Sequence, residues 1–206
     1  MIKKNNMPPP VYKTFFAKNR NVWRQWLEKN HAKSPGIWLI YYKRSSGKSS
    51  VSYNEAVEEA LCFGWIDSLP RKLDDKKAMW KFTPRKTKSA WSELNKKRIE
   101  NLLRKGLITN AGLMKIEASK KDGSWHILTA SNTAVETNQL PVDLEKAFSK
   151  NKKALTNFKA FPPGYRRRFL FWIDSAKLPK TRMARVKQTV LMAAANKKPG
   201  IKGFKL

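Results

Sequence analysis

The stretch SYNEAVEEALCFGWIDS, residues 52–68, contains the clearest signals of regular structure in the chain. Ser52 and a glutamate three residues later form the capping-box pattern that begins many helices. Apolar and small residues then repeat at helical spacing as far as Gly64. We therefore predict a helix over this stretch, with Trp65 and Asp67 emerging where the helix ends.

Strand patterns lie on both sides of that helix. Residues 36–43 are dense in aromatic and β-branched side chains between turn-forming residues, which is typical of a strand. Residues 78–85 alternate, with Trp80 and Phe82 on one side, and residues 13–17 are a shorter candidate strand. The sequence thus predicts an α+β fold dominated by helices, with a small antiparallel sheet and a C-terminal helical segment.

Further helices are predicted around these strands. One contains Trp23 on an apolar face, between the first two candidate strands. Another begins near Ser89 and ends at Gly106, a glycine placed as a C-terminal cap. The next helix runs from Thr109, which is a favourable N-cap residue, to Gly123.

The composition divides the chain into five segments. Residues 1–11 contain a proline triplet and are predicted to be a flexible leader. Residues 12–125 form the α+β core domain. Residues 126–140 carry few long apolar side chains and are predicted to be a linker. Residues 141–196 form the C-terminal helical segment, and residues 197–206 are a basic tail.

Three or four helices are predicted within the C-terminal segment. On one of them Tyr165, Phe169 and Trp172 repeat at helical spacing. We expect this face to be buried, so that Trp172→Ala costs ~3–5 kcal/mol. The last helix carries its apolar residues on one face: Met183, Val186, Val190, Leu191 and Ala194.

The charge balance is strongly basic. Lys and Arg number 44 against 15 Asp and Glu, which gives a formal net charge of +29. Such a field attracts polyanions, either nucleic acid or anionic lipid, without sequence preference. Arg166, Arg167 and Arg168 place three guanidinium groups on one helical turn, where they could bind phosphate. Solvated basic faces are the alternative interpretation of these residues.

Motifs for catalysis, metals and cofactors are missing from the sequence. There is no Walker loop, no GxSxG elbow and no GxGxxG fingerprint. His31 and His126 are not at metal-ligand spacing from each other or from Cys62. Cys62 is the only cysteine, so no internal disulfide can form, and we expect it to be a buried core thiol. We expect no catalytic residues, metal or cofactor.

A binding cleft is predicted where two segments meet. If the helix ending at Gly64 approaches the helix starting near Ser89, indole walls and polar groups would line a site for a small anionic ligand. Alternatively, Asp67 pairs with a nearby arginine to hold the connection in place, and the tryptophans are packing. The candidate ligand-binding residues are Trp65, Asp67, Arg71, Arg85, Ser89, Trp91 and Asn95.

Three stretches carry a family resemblance: GIWLIYYKRSSGKSSVSYNEAVEEALCFGWIDS, TPRKTKSAWSELNKKR and YRRRFLFWIDSAKLPKTRMARV. Together they resemble the bacteriocin-protection family described as YdeI or OmpD-associated, over roughly residues 12–196. The resemblance implies a role in envelope stress or antimicrobial-peptide resistance, association with an outer-membrane porin, and no known catalytic residue.

Location and function complete these expectations. The N-terminus lacks an apolar signal-peptide core, and no stretch reaches the ~18 apolar residues of a membrane span. We therefore expect a cytoplasmic protein without a transmembrane segment, which argues against the porin partnership. The expected function is non-enzymatic stress protection or binding, with a strongly basic surface. The alternatives are a non-specific nucleic-acid-binding protein and an enzyme that acts on a small anion in the predicted cleft.

Overall fold

A computed structural model describes residues 11–200 and 203–204. The predicted leader, residues 1–11, lies outside this part of the chain except for Val11, and so does part of the predicted tail, residues 197–206. The described residues divide into two compact units, one ending at His126 and the other beginning at Ile127. They contain nine helices and a four-stranded sheet, which confirms the predicted α+β class.

The sheet lies in the first unit and consists of four strands in the described residues: β1 (Thr14–Phe16), β2 (Ile37–Tyr42), β3 (Trp65–Lys72) and β4 (Lys77–Pro84). Their order across the sheet is β1-β2-β4-β3. The three predicted strands correspond to β1, β2 and β4. The prediction of an antiparallel sheet was wrong for β1, which pairs with β2 in parallel. A helix connects these two strands, so the chain can return to the sheet in the same direction.

Strand β3 was missed, because Trp65 and Asp67 were predicted to emerge at a helix end and the residues from 68 onwards to form a connection. Its burial pattern explains the error: Trp65 is buried, whereas the last five residues are exposed, so no apolar alternation marks the strand. The strand lies at the edge of the sheet, where Pro70 is tolerated. A register shift between Asp67 and Pro70 interrupts its pairing with β4.

Four helices in the described residues complete the first unit: α1 (Arg20–Asn30), α2 (Tyr53–Cys62), α3 (Glu93–Arg104) and α4 (Asn110–Lys121). A short 3-10 helix spans Arg44–Ser46. The capping box at Ser52 and the N-cap at Thr109 are confirmed. Helix α3 begins later than predicted, because Ser92 rather than Ser89 is the N-cap residue.

The core of the first unit is built from the sheet and the helices that pack on it. Trp23 and Leu27 of α1, Leu61 of α2 and Phe82 of β4 are almost completely buried. The Trp23 indole N–H donates a 3.0 Å hydrogen bond to the carbonyl of Ala56, so its polar atom is satisfied inside the core.

The described residues of the second unit contain five helices: α5 (Thr129–Glu136), α6 (Val142–Ser149), α7 (Lys152–Ala160), α8 (Pro163–Asp174) and α9 (Pro179–Ala194). Helices α6 to α9 were predicted. Helix α5 lies within residues 126–140, where a linker was predicted. It was missed because its buried face includes the polar residues Ser131 and Asn132 beside Val135. No helix among the described residues has both the length and the apolar character needed to cross a bilayer.

The core of the second unit is aromatic. Phe148, Phe158 and Phe169 are buried, and neighbouring ring centroids lie 5.1 and 5.8 Å apart. Trp172 does not belong to this core, which corrects the prediction from helical spacing. Its ring is partly exposed and stacks on Phe204 at 4.0 Å.

Candidate ligand-binding site

The two indoles of the predicted cleft are core residues. Trp65 and Trp91 are each 1% exposed. The Trp65 N–H donates to the carbonyl of His31 at 3.1 Å, and its ring meets Trp26 edge-on. The Trp91 ring packs against Trp125 at 5.0 Å. The expectation that these indoles wall an open cleft was therefore wrong, since both are buried and each packs against another tryptophan.

Arg85 is buried beside Trp91 and stabilises the loop that follows β4. Its guanidinium carbon lies 3.6 Å from the centre of the Trp91 ring. One terminal nitrogen donates to the Ser89 hydroxyl at 3.1 Å and to the carbonyl of Ala90 at 3.0 Å. Burial lowers the pKa of Arg85 to about 10, and the negative charge of Asp67 opposes that shift. The structure thus brings Arg85, Ser89 and Trp91 together, and their contacts hold the loop after β4 in place.

Asp67 is engaged elsewhere. Its carboxylate accepts a 2.8 Å hydrogen bond from the hydroxyl of Tyr53. Over the described part of the chain, no ion pair within 4.0 Å joins Asp67 to Arg71 or Arg85, so the predicted salt bridge was wrong. Arg71 lies exposed on the edge strand β3.

Asn95 is buried in the first turn of α3 and takes part in a link between helices. Its side-chain oxygen accepts a 2.9 Å hydrogen bond from Arg98. The other terminal nitrogen of Arg98 donates to Asn54, in the first turn of α2, at 2.7 Å. Asn95 therefore positions Arg98 between α2 and α3, and its described contacts are structural.

A groove that the sequence analysis did not identify lies between the end of β2 and the start of α2. We call it the tyrosine groove; its lining includes Tyr41, Tyr42, Lys43, Lys48, Ser50 and Tyr53. Its volume is about 460 Å³, which is within the usual range for small-molecule sites. The groove combines aromatic rings, hydroxyl groups and lysines, which is the chemistry of a site for a small polar ligand with an apolar part.

The aromatic wall of the tyrosine groove is held in place from behind. The rings of Tyr41 and Tyr53 contact Trp80 of β4, with centroids 6.3 and 4.6 Å away. The hydrogen bond to Asp67 fixes the Tyr53 hydroxyl. Burial, and then this hydrogen bond, raise the pKa of Tyr53 to about 12. The hydroxyl of Tyr53 is therefore protonated at neutral pH and remains a hydrogen-bond donor.

The two lysines in the described lining of the groove, Lys43 and Lys48, differ in their contacts. Ser50 accepts the N–H of Tyr42 at 3.0 Å, which fixes the loop against β2. Lys43 donates to the carbonyls of Asp74 and Asp75. The Lys48 ammonium lies 5.5 Å from the centre of the Tyr42 ring, a cation–π contact, and it donates no hydrogen bond to the residues that the structure describes, so its N–H groups can bind an anion.

The tyrosine groove was missed because no compact motif marks it. Its residues lie at a strand end and in the serine-rich segment that follows, which the sequence predicts only as a turn. The available signal was the placement of Tyr41 and Tyr42 before that segment and of Tyr53 directly after it. Trp80, which supports the wall, comes from a distant strand.

The arginine run on α8 is largely engaged within its own unit. Arg166 donates to the side-chain oxygen of Asn138 at 3.0 Å. Arg168 donates to the carbonyls of Pro199 and Gly200 at 2.9 and 2.8 Å. Two of the three guanidinium groups thus have intramolecular partners, which reduces their availability to phosphate. Polyanion binding by Arg166, Arg167 and Arg168 stays a prediction.

Cys62 is fully buried, which confirms the expected core thiol. Burial, and then the charge of Glu59, raise the pKa of this thiol to about 11. A protonated, enclosed thiol is a poor nucleophile and metal ligand. Among the residues that the structure describes, no group of three or more His, Cys, Asp or Glu side chains is placed to hold a metal ion.

The fold defines an α+β protein of two compact units, and the tyrosine groove lies in the first of them. Residues 15–115 match the model of a domain of unknown function (DUF8412). Residues 137–196, which include α6 to α9, match the family described as bacteriocin-protection, YdeI or OmpD-associated. This match confirms the resemblance for residues 137–196, which contain the last of the three stretches, whereas the first two stretches lie within the region that matches DUF8412. Searches of the curated proteins and of the solved structures gave no significant match.

Proposed function

We propose that the protein is a non-enzymatic stress-protection protein that acts by binding a small anionic ligand in the tyrosine groove. The match of residues 137–196 to the bacteriocin-protection family supports the protective role. The observation that carries the binding role is the position of Lys48 beside an aromatic wall in a groove of about 460 Å³.

The chemistry of the groove suggests the class of ligand. Tyrosine rings offer flat apolar surfaces against which an aromatic or sugar ring can pack. The ammonium of Lys48 supplies the positive charge for a carboxylate or phosphate. The N-terminus of α2 adds little, because the Glu55 carboxylate already accepts the N–H and the hydroxyl of Ser52. The proposed ligand is therefore a small molecule with a ring and one anionic group.

The state of the groove residues supports binding rather than turnover. The Tyr53 hydroxyl is held by Asp67, and its pKa of about 12 makes it a poor proton acceptor at neutral pH. The hydroxyls of Ser50 and Ser52 are engaged with the backbone of Tyr42 and with the helix cap. A nucleophile activated by a neighbouring base is not part of this arrangement.

The net charge bears on how protection would work. A chain of formal charge +29 repels a cationic peptide at short range, within the Debye length of ~8 Å at physiological salt. Direct capture of such peptides is therefore disfavoured. The proposal places the protein in the cytoplasm, where the single thiol of Cys62 stays reduced, and makes protection an indirect result of ligand binding.

Phenyl phosphate tests this function, because it combines a ring with an anionic group. We expect isothermal titration calorimetry on the full chain to detect phenyl phosphate binding that is tighter than that of phenol or inorganic phosphate. Lys48→Gln should weaken it about tenfold, which corresponds to ~1.4 kcal/mol. The matched control is Lys97→Gln. Lys97 is exposed on α3, and its substitution changes the net charge by the same amount.

Two results would contradict the proposal. Equal affinities of the wild-type protein and Lys48→Gln would show that the ligand does not use the groove. Equal weakening by Lys97→Gln would show that only the overall charge matters.

A further inference from the structure

The second unit has an apolar groove of its own, between α6 and α9. Its volume is about 660 Å³, and we call it the α6/α9 groove. Its apolar lining consists of Ala147 of α6 and Met183, Val186, Val190 and Leu191 of α9. Met183 is 70% exposed and Leu191 is 43% exposed, so a substantial apolar surface faces water. Such surfaces on a folded protein often mark interaction sites.

The spacing of these residues explains why the apolar face of α9 is not fully used by the fold. The residues of α9 buried in its own unit are Val186, Thr189, Met192 and Ala193. Of the other apolar residues on the predicted face, Val190 and Ala194 are partly buried against the core of the second unit, whereas Met183 and Leu191 are exposed. The apolar face of α9 therefore extends, through Met183 and Leu191, beyond the part that packing within the second unit covers.

The rim of the α6/α9 groove is positively charged. Its lining includes Lys146 of α6, Lys150 directly after that helix and Lys187 of α9. These three lysines are exposed, and none forms an ion pair within the part of the chain that the structure describes. The acidic residue of the lining, Asp143, is bound by Arg182 at 2.6 Å. The free charge around the apolar floor is thus basic.

We propose that the α6/α9 groove binds an acidic amphipathic helix of a partner protein. The apolar residues of that helix, repeating at i, i+3, i+4 and i+7, pack on Val190, Leu191 and Met183. Acidic residues beside this stripe pair with Lys146, Lys150 and Lys187. The groove supplies apolar contact area for the helix. The lysines fix the orientation of the helix through these ion pairs, and they repel basic helices.

The charge argues against other occupants. In a symmetric contact between two copies of the chain, the lysine rims would face each other and repel. The sequences of the two chain termini, MIKKNNMPPP and IKGFKL, contain no acidic residue to pair with the rim. A bilayer favours apolar side chains that protrude from a convex surface, whereas these residues line a concave groove between two helices.

A designed peptide tests the proposal with the full-length protein. The probe is a fluorescein-labelled peptide of about 15 residues, with leucine at i, i+3, i+4 and i+7 and glutamate on both flanks. The control peptide has the same composition in scrambled order, so its charge is equal but its apolar stripe is lost. At an ionic strength of ~0.15 M, fluorescence anisotropy should show binding of the amphipathic peptide at least about tenfold tighter than that of the scrambled peptide.

A substitution in the groove tests its location. Met183→Glu introduces a negative charge on the apolar surface and should lower the affinity for the amphipathic peptide about tenfold. The matched control is Met114→Glu, because Met114 is 69% exposed on α4 of the first unit. The control should change the affinity less than about twofold. Circular dichroism shows whether each variant is folded, and both sites are exposed enough to tolerate the change.

A second pair of variants tests the basic rim. Lys146→Gln combined with Lys150→Gln should lower the affinity for the amphipathic peptide about fivefold or more. Lys97→Gln combined with Lys105→Gln removes the same charge from the first unit and should change the affinity less than about twofold.

The proposal is overturned by any of four outcomes. The first is that the scrambled peptide binds as tightly as the amphipathic one, and the second is that the variants and their matched controls lose equal affinity. The third is that sedimentation shows a dimer that Met183→Glu dissociates. The fourth is that the protein binds phosphatidylglycerol vesicles in a Met183-dependent manner but does not bind the peptide. Because these tests use residues of the second unit, their failure leaves the proposed ligand site in the first unit unaffected.

Discussion

The Tyr53 hydroxyl donates a 2.8 Å hydrogen bond to the Asp67 carboxylate, which links the first turn of α2 to β3. The Tyr53 ring also packs against Trp80 of β4, with centroids 4.6 Å apart. One side chain thus connects three elements at the back of the tyrosine groove. Its environment favours the protonated hydroxyl, since burial and the bond to Asp67 raise the pKa of Tyr53 to about 12.

This pKa predicts a loss of stability at high pH. The folded-state pKa of about 12 lies above the ordinary value of 10.0, so the contribution of Tyr53 is fully present below pH 10 and is lost as the pH rises towards 12. The difference in free energy of unfolding between the wild-type protein and Tyr53→Phe should therefore shrink over that range. Urea denaturation at a series of pH values measures it. A difference that stays constant would contradict the assignment.

Removal of the buried charge of Glu59 should lower the stability of the fold strongly. Its carboxylate is 2% exposed and accepts hydrogen bonds from Arg20 at 2.6 Å and Arg24 at 2.7 Å. Glu59→Gln leaves both arginines without their shared partner and should cost ~2–4 kcal/mol. The control is Glu58→Gln, because Glu58 pairs with Arg20 at the surface, where such pairs contribute ~0–1 kcal/mol.

Tryptophan fluorescence during urea unfolding measures the free energy of unfolding of both variants, Glu59→Gln and Glu58→Gln. All of the tryptophans except Trp172 lie in the first unit, so the signal reports mainly on the unit that contains Glu59. Equal stabilities of the two variants would mean that Glu59 is not buried as the structure has it.

Gly112 predicts a steric limit on the packing of α4 against α2. A Cβ atom at this position would overlap the backbone carbonyl of Cys62. The same carbonyl accepts a 2.7 Å hydrogen bond from the hydroxyl of Thr109, so the two helices cannot easily move apart. Gly112→Ala should therefore cost ~1–3 kcal/mol. Gly164→Ala is the control, since a Cβ there meets no atom within 4 Å, and thermal unfolding should show almost no loss.

The aromatic residues of α8 predict a contrast between two substitutions. Phe169 is fully buried, and Phe169→Ala should cost ~3–5 kcal/mol. Trp172 is partly exposed and stacks on Phe204, so Trp172→Ala should cost only ~1–2 kcal/mol. Thermal unfolding followed by circular dichroism compares them, and a larger cost for Trp172→Ala would reverse the assignment of the core.

That contrast shows where sequence patterns succeed. The capping box at Ser52 and the N-cap at Thr109 could be predicted, because a cap is formed by residues within one helical turn. Helical spacing also located α8 and α9. It could not distinguish Phe169 from Trp172, because the choice of buried face depends on the helices that pack against α8.

The remaining errors have the same cause. Strand β3 is an edge strand whose exposed residues show no alternation, so its pairing with β4 is not visible in its own sequence. The predicted cleft grouped Trp65 with Trp91, but both are buried, and each packs against a different tryptophan. The tyrosine groove depends on Trp80 and Asp67, which come from β4 and β3 and are brought to Tyr53 by the fold.

Polyanion binding is the last property to test, and the arginine run on α8 gives it a specific form. A net charge of +29 predicts binding to heparin or duplex DNA that does not depend on base sequence and falls steeply with salt. Arg166 and Arg168 already donate hydrogen bonds within the second unit. Replacing both with Gln should therefore weaken DNA binding no more than replacing Lys97 and Lys105 with Gln. Anisotropy with a labelled duplex at several salt concentrations measures both pairs. An additional loss of more than about tenfold for the arginine pair, with the fold retained by circular dichroism, would show that these guanidinium groups leave their partners to bind phosphate.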